Sequence, residues 1–228
     1  MKVAGLVPFT TIDFPNRLAG VVFFQGCPLK CPYCHNPNLQ DFNQTGTLSW
    51  NEVISFFSER KKRLDGVVLS GGEPLMQSDI LKAVQDIKGL GFQVAIHTSG
   101  IYPQKIKEIL PFIDWVGLDV KAPKEKYHLL SGREKISSLV FETLKILSDS
   151  DIDFEVRTTL DPKHLTIEDI YLLASQLKEY RIPQFALQKY RTFPGDTNPP
   201  SQSEIDSFFE NNELIQTLQN DFNRLVLR

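Results

Sequence analysis

This 228-residue chain predicts an α/β fold, a partial (β/α)6 TIM-like barrel of parallel strands with outer helices. Two observations lead there. Short β-branched and aromatic runs alternate with helical periodicities in about six successive units, the pattern of a parallel sheet covered by helices. Six units are fewer than the eight of a closed barrel, so the sheet is expected to stay open. No linker, repeat or low-complexity segment interrupts the run. The expectation is therefore one domain over residues 1–228, with a core over about 18–191 and a helical extension over 203–228.

The elements follow in order. LAGVVFFQG, from Leu18 to Gly26, is a buried strand that ends where the cysteines begin. Ser49 and Glu52 form a capping box ahead of a helix, VISFFSERKKRL. GVVLSGGEP, from Gly66 to Pro74, is an apolar strand running into a glycine turn. SDILKAVQDIKGLG is a helix capped by Ser78 and stopped near Gly89 and Gly91. FQVAIHTSG is the third strand, Pro103 opens the helix PQKIKEIL, and DWVGLDVKAP is the fourth strand. SSLVFETLKILSDS and DFEVRTTL form a further helix and strand. Thr166 and Asp169 cap IEDIYLLASQLKEY, QFALQKY is the sixth strand, and a helical segment runs from Ser203 to about Asn220.

Composition narrows the functional classes. Hydrophobic residues make up 41% and charged ones 23%, which suits a buried core. A net charge of −3 offers no attraction to nucleic acid or membrane, and neither is expected as a partner. The opening MKVAGLVPFTTIDFP is a poor signal peptide, and no run approaches the roughly 20 apolar residues of a membrane span. A cytoplasmic protein is expected. Thiols stay reduced there, so clustered cysteines point to metal or catalysis.

Active sites of parallel α/β folds gather at the carboxyl ends of the strands. The unusual residues fall at those ends: the cysteine loop, Gly71-Gly72-Glu73-Pro74, Thr98-Ser99-Gly100, Asp119 with Lys121, Arg157-Thr158-Thr159, and Gln188 with Tyr190 and Arg191. Backbone at Gly71 and Gly72 can approach a polar ligand closely. Glu73 either receives a cationic amine or caps the following helix. Lys121 and Arg157 suit a carboxylate or ribose oxygen, and Asp119 an ammonium group or ribose hydroxyls. Together they fit a zwitterionic, nucleoside-bearing ligand. Trp50, Trp115, Phe56, Phe57, Phe208 and Phe209 are expected in the packing, and His97 as a core or rim residue.

CPLKCPYCHNP, from Cys27 to Pro37, holds all three cysteines. Its end spells a haem-attachment signature, but that chemistry needs export. A zinc knuckle with His35 is chemically open, although Cys34 and His35 are awkward neighbours as ligands of one ion. A cubane iron–sulfur cluster held by three thiolates leaves one iron for another ligand.

Cys27-x3-Cys31-x2-Cys34, with Tyr33 before the last thiolate, resembles the cluster motif of the radical S-adenosylmethionine (SAM) superfamily. Gly71-Gly72-Glu73-Pro74 matches that family's GGEP motif. Cys34-His35-Asn36-Pro37 and Leu118-Asp119-Val120-Lys121 are similar to motifs of the activating enzymes of glycyl radical enzymes. The opening through Pro37 resembles the longer form of the anaerobic ribonucleoside-triphosphate reductase activating proteins.

The resemblance implies a fold of the radical SAM type. It also implies a [4Fe–4S] cluster on Cys27, Cys31 and Cys34, with SAM bound near Tyr33, His35, Gly71, Gly72, Glu73, Thr98, Asp119, Lys121 and Arg157. It implies a glycyl radical enzyme as partner, an anaerobic ribonucleotide reductase, with flavodoxin or ferredoxin as electron donor. A pyruvate formate-lyase-type activase and a small-molecule enzyme like 7-carboxy-7-deazaguanine synthase are the alternatives. Many activases end the sixth strand with a histidine near SAM; here Gln188, Tyr190 and Arg191 stand there.

Overall fold

The computed structural model describes residues 1–193 and 195–228, which form two compact units. Met1–Pro28 and Asn36–Gly117 make the first; Leu29–His35 and Leu118–Arg228 make the second.

In the first unit, strand β1 (Val3–Thr10) pairs antiparallel with β2 (Ala19–Phe24), and β2, β3 (Gly66–Gly71) and β4 (Gln93–Thr98) pair in parallel. Helices α1 (Trp50–Ser58), α2 (Ile80–Gly89) and α3 (Pro103–Ile109) belong to this unit. Register sets Val21 beside Val68 and Val68 beside Ala95, so these side chains share one face. With Phe14, Ala19 and Trp115 they form one buried cluster. A Cβ at Gly66 would stand 2.8 Å from the Phe14 ring, so the close approach of that ring requires glycine.

Strand β5 (Trp115–Asp119) begins in the first unit and ends in the second. The second unit continues with α4 (Tyr127–Ser131), α5 (Ser137–Ser148), β6 (Asp153–Leu160), α6 (Ile167–Leu177), β7 (Gln184–Lys189), α7 (Gln202–Glu210), α8 (Asn212–Asp221) and β8 (Leu225–Leu227). Strands β6, β7 and β8 pair in parallel. Arg228 closes this unit with a bidentate bond to Glu155, both contacts 2.8 Å, while Phe185 and Phe222 pack with ring centroids 4.8 Å apart.

The six expected strands are β2 to β7, and the Ser49–Glu52 and Thr166–Asp169 capping boxes both form. Several local expectations need correction. Strand β1 was not anticipated, because Gly5 and Pro8 interrupt its apolar run; its place at a sheet edge tolerates both. Strand β8 and the short α4 were likewise unforeseen.

Helix α1 stops at Ser58 rather than running to Leu64. Beyond it Lys62 takes a φ of 72° and Arg60 lies over the Phe56 ring at 3.4 Å. Ser78 does not cap α2: a turn bond from Ile80 N–H to the Gln77 carbonyl puts Asp79 at the cap, with no side-chain bond. The terminal helical segment is two helices, because Asn211 ends α7 and its side chain accepts from the Leu214 N–H to start α8. Trp115, Phe57 and Phe208 are buried as expected, whereas Phe56 and Phe209 are half-buried beneath Arg60 and Lys189.

Gly89 lies in α2, and a Cβ added there meets nothing within 4 Å. Gly89→Ala is expected to raise unfolding free energy by about 0.4–1 kcal/mol, read by chemical denaturation.

Candidate active site

The turn after β3 and the carboxyl end of β4 are tied together by one buried carboxylate. Glu73 is fully buried. Its Oε1 accepts from the Leu75 N–H at 3.0 Å and the Thr98 hydroxyl at 2.7 Å. Its Oε2 accepts from the Ser99 N–H at 2.8 Å and the Ser99 hydroxyl at 2.5 Å. Burial pushes the carboxyl pKa up, against the pull of these Ser99, Thr98 and Leu75 donors. Of its two sequence roles, the carboxylate takes that of cap, and it adds a bond to the next strand end. The Thr98 hydroxyl also accepts from the Gly100 N–H at 3.0 Å, so both its roles are used inside the protein.

The glycines before Glu73 lie against the start of the cysteine loop. The Gly72 N–H donates to the Phe24 carbonyl and the Glu73 N–H to the Gly26 carbonyl, each at 2.9 Å. Gly71 has a φ of +118°, in the region that favours glycine. A Cβ on Gly72 would fall 2.2 Å from the Gly26 carbonyl oxygen and 2.8 Å from that of Leu39. The glycine pair therefore serves close backbone packing beneath the first cysteine. The loop mouth is closed by Gly26 N–H to the Leu39 carbonyl, 2.8 Å, and Cys27 N–H to the Gln40 carbonyl, 3.3 Å.

The second unit gathers Cys31, Tyr33, Cys34 and His35 with Asp119, Lys121 and Arg157. Cys34 N–H donates to the Cys31 carbonyl at 3.2 Å, a tight turn between the two thiols. Lys121 is 8% exposed, and its Nζ lies 5.7 Å from the centroid of the buried Tyr33 ring. Burial opposes the ammonium, but Cys31, Tyr33 and Asp119 around it outweigh that and hold its pKa well above the usual lysine value. Burial pushes the Cys31 thiol up, and Lys121 pulls it back. Burial also raises the Tyr33 phenol and lowers the His35 imidazole.

Asp119 accepts from Arg157 Nε at 2.8 Å. The Tyr127 hydroxyl donates to the Asp119 carbonyl and accepts from the Lys121 N–H, both at 3.3 Å, fixing the chain between them. Tyr127 was not singled out in the sequence; it stands in α4, a helix too short for its periodicity to show.

The sixth-strand residues separate. Gln188 faces Thr159 at 3.5 Å, the Tyr190 hydroxyl donates to Asp196, and the Arg191 backbone hydrogen-bonds His35. His97 joins its Nε2 to the Asp13 carbonyl at 2.8 Å and stands edge-on to Trp115, a structural position.

The three thiols are half-buried and none is in a disulfide. Among the described residues, no group of three His, Cys, Asp or Glu side chains is gathered for a metal ion.

The profile of the radical SAM superfamily matches residues 21–182. The chain belongs to the radical SAM superfamily. A full-length relative from Methanocaldococcus jannaschii, named as an inferred glycyl-radical enzyme activating enzyme, is 30% identical over 96% of this chain and 98% of its own. The pyruvate formate-lyase-activating enzyme of Clostridium pasteurianum is 32% identical over 79% of this chain and 78% of its own. This radical SAM chain thus stands in the activating-enzyme family, and it is an enzyme.

The fold is shared with the crystal structure of Streptococcus suis SuiB bound to S-adenosylmethionine, at a TM-score of 0.71 and 16% identity. The match covers 91% of this chain, which spans about half, 51%, of the SuiB chain. That likeness bears out the α/β class of the radical SAM type expected from the sequence.

Radical SAM proteins use a [4Fe–4S] cluster and SAM, and these are the cofactors of this one. The donor set fits them. Three unbridged thiols suit a cluster that keeps one iron for a second ligand, and the buried Lys121 cation suits an anionic group.

Two variants test the construction of the rim. Glu73→Ala strands the hydroxyl and N–H donors of Thr98 and Ser99, and is expected to lower unfolding free energy by about 3 kcal/mol in denaturant titration. Gly72→Ala pushes its Cβ into the Gly26 carbonyl, and is expected to cost about 1–3 kcal/mol and to reduce iron uptake on reconstitution.

Proposed function

We propose that this protein activates a glycyl radical enzyme. The carrying observation is the full-length likeness to the Methanocaldococcus jannaschii relative, together with the unbridged thiols at Cys27, Cys31 and Cys34. These three cysteines would hold the cluster. Tyr33, His35, Asp119, Lys121 and Arg157, with the backbone at Gly71 and Gly72, would meet SAM. Glu73 and Thr98 would serve the same cofactor by keeping the glycine turn in place, since their own oxygens are already bonded within the protein.

When bound, cluster and SAM supply a 5′-deoxyadenosyl radical able to take hydrogen from a glycine Cα. The chain's own part is positioning. Lys121 offers a buried cation to a carboxylate. The Asp119–Arg157 pair presents a fixed carboxylate edge to polar groups. The buried Tyr33 ring stands beside the Lys121 ammonium. Geometry matters because an unshielded primary radical attacks whatever lies near it.

An anaerobic ribonucleotide reductase is the proposed partner, supported by the resemblance of the N-terminal stretch through Pro37; the Cys34-His35-Asn36-Pro37 run supports an activating enzyme in general. Flavodoxin or ferredoxin would be the reductant, in the cytoplasm; no helix among the described residues is long and apolar enough to cross a membrane. One domain over residues 1–228 would carry the activity. The likeness to the Clostridium pasteurianum enzyme favours a second reading, a pyruvate formate-lyase-type activase.

Anaerobic incubation with SAM, reductant and each candidate partner decides between them by electron paramagnetic resonance. A glycyl doublet with the reductase and none with the formate-lyase is expected; the reverse would replace the proposed partner. Cys31→Ala is expected to lose the cluster and SAM cleavage. Four irons and wild-type cleavage in that variant would sink the ligand assignment.

A further inference from the structure

We propose that Gln25 and Gln77 are positioning residues for Cys27, the first thiolate of the cluster motif; the inference rests on the cluster assignment above. Gln25 is 2% exposed and Gln77 6% exposed. Among the described residues their amides bond main chain only. Gln25 Nε2 donates to the Asn38 carbonyl at 2.9 Å and the Asp41 carbonyl at 2.8 Å. Gln77 Nε2 donates to the Gln25 carbonyl at 2.9 Å, and Gln77 Oε1 accepts from the Lys2 N–H at 3.0 Å. The Gln25 N–H donates to the Lys2 carbonyl at 2.9 Å. The orientation of both amides follows from these partners, since carbonyl oxygens require the NH2 end.

The consequence is mechanical. The chain leaves β2 at Gln25, carries the cysteines, and returns through Asn36–Asp41. Gln25 grips that return segment from the outgoing arm, two residues before Cys27. The Cys27 N–H donates to Gln40, which lies between the two carbonyls that Gln25 holds. Slack in the return segment is therefore slack at Cys27.

Gln77 grips Gln25 in turn and joins it to Lys2, the residue before β1. It follows directly on the turn that Glu73 caps, so the glycine turn and the cysteine loop share one buried polar frame. Glutamine suits this place for a stated reason. One nitrogen with two hydrogens meets two carbonyls at once, which glutamate and leucine cannot do. A preorganised loop holds a metal cluster more durably than one that must be ordered by it.

The test uses full-length protein reconstituted anaerobically with iron and sulfide. Iron and sulfide per chain are measured, and then the decay of cluster absorbance under a ferrous chelator. Gln25→Ala is expected to lose its cluster about tenfold faster than wild type, and Gln77→Ala to do so to a lesser degree. Thr166→Ala is the comparison, because it removes the α6 cap in the second unit and lowers stability without touching the loop.

Cluster decay at the wild-type rate in both glutamine variants overturns the inference. So does equal acceleration in Thr166→Ala, which would make the effect one of general stability. Should Gln25→Ala fail to fold, as judged by circular dichroism of the apoprotein, Gln77→Ala alone decides. Wild-type protein that takes up no cluster would overturn the cluster assignment first, and the inference with it.

Discussion

The buried Glu73 carboxylate is the constraint on which the first unit's strand ends depend. It is fully buried, and four donors from Leu75, Thr98 and Ser99 meet its two oxygens. Each of those donors fixes a piece of main chain. The turn after β3 is closed by the first, and the end of β4 is brought to it by the others. The backbone of Gly72 and Glu73 can then reach the Phe24 and Gly26 carbonyls, which sets the path of the chain into Cys27. A motif known for contacting a ligand is, in this fold, first a device for holding three strand ends together.

The second unit solves a different electrostatic problem. It keeps a lysine ammonium buried beside a thiol, a phenol and a carboxylate. The cost of desolvating Lys121 is offset by those neighbours, and Asp119 is itself held by Arg157 and framed by Tyr127. Such an arrangement keeps a cation ready without exposing it. Bonds to the main chain do the holding here as well: Val120 N–H to the Arg157 carbonyl, and the Thr158 side-chain hydroxyl to the Val120 carbonyl. Charged side chains at the strand ends are thereby positioned by backbone that cannot shift without breaking the β5–β6 connection.

The local code of the chain was legible wherever one short window held the whole signal. Cys27, Cys31 and Cys34 lie within eight residues, so their resemblance to the superfamily's cluster motif shows in one short window. Ser49 with Glu52 and Thr166 with Asp169 announce helix starts, since both bonds of a capping box close within four residues. Strand β1 was illegible for the opposite reason. Gly5 and Pro8 lower its intrinsic preference, and only pairing with β2 makes it a strand. The place of Ser78 was misread because the turn from Gln77 to Ile80, a contact outside the helix, decides where α2 begins.

The sequence by itself determined the chemistry: three cysteines, a glycine-rich turn and a D-x-K strand are choices of residue type, and residue type sets which metal and which ligand groups can be held. Tertiary structure decided the division of labour among those residues. Whether Glu73 meets a ligand or holds a turn depends on donors from Thr98 and Ser99, some 25 residues away along the chain. Whether Gln25 and Gln77 matter at all depends on the carbonyls of Asn38, Asp41 and Gln25 and on the Lys2 N–H. Hydrogen bonds between distant segments leave no periodic trace in sequence, because burial and partner geometry exist only once the chain has folded.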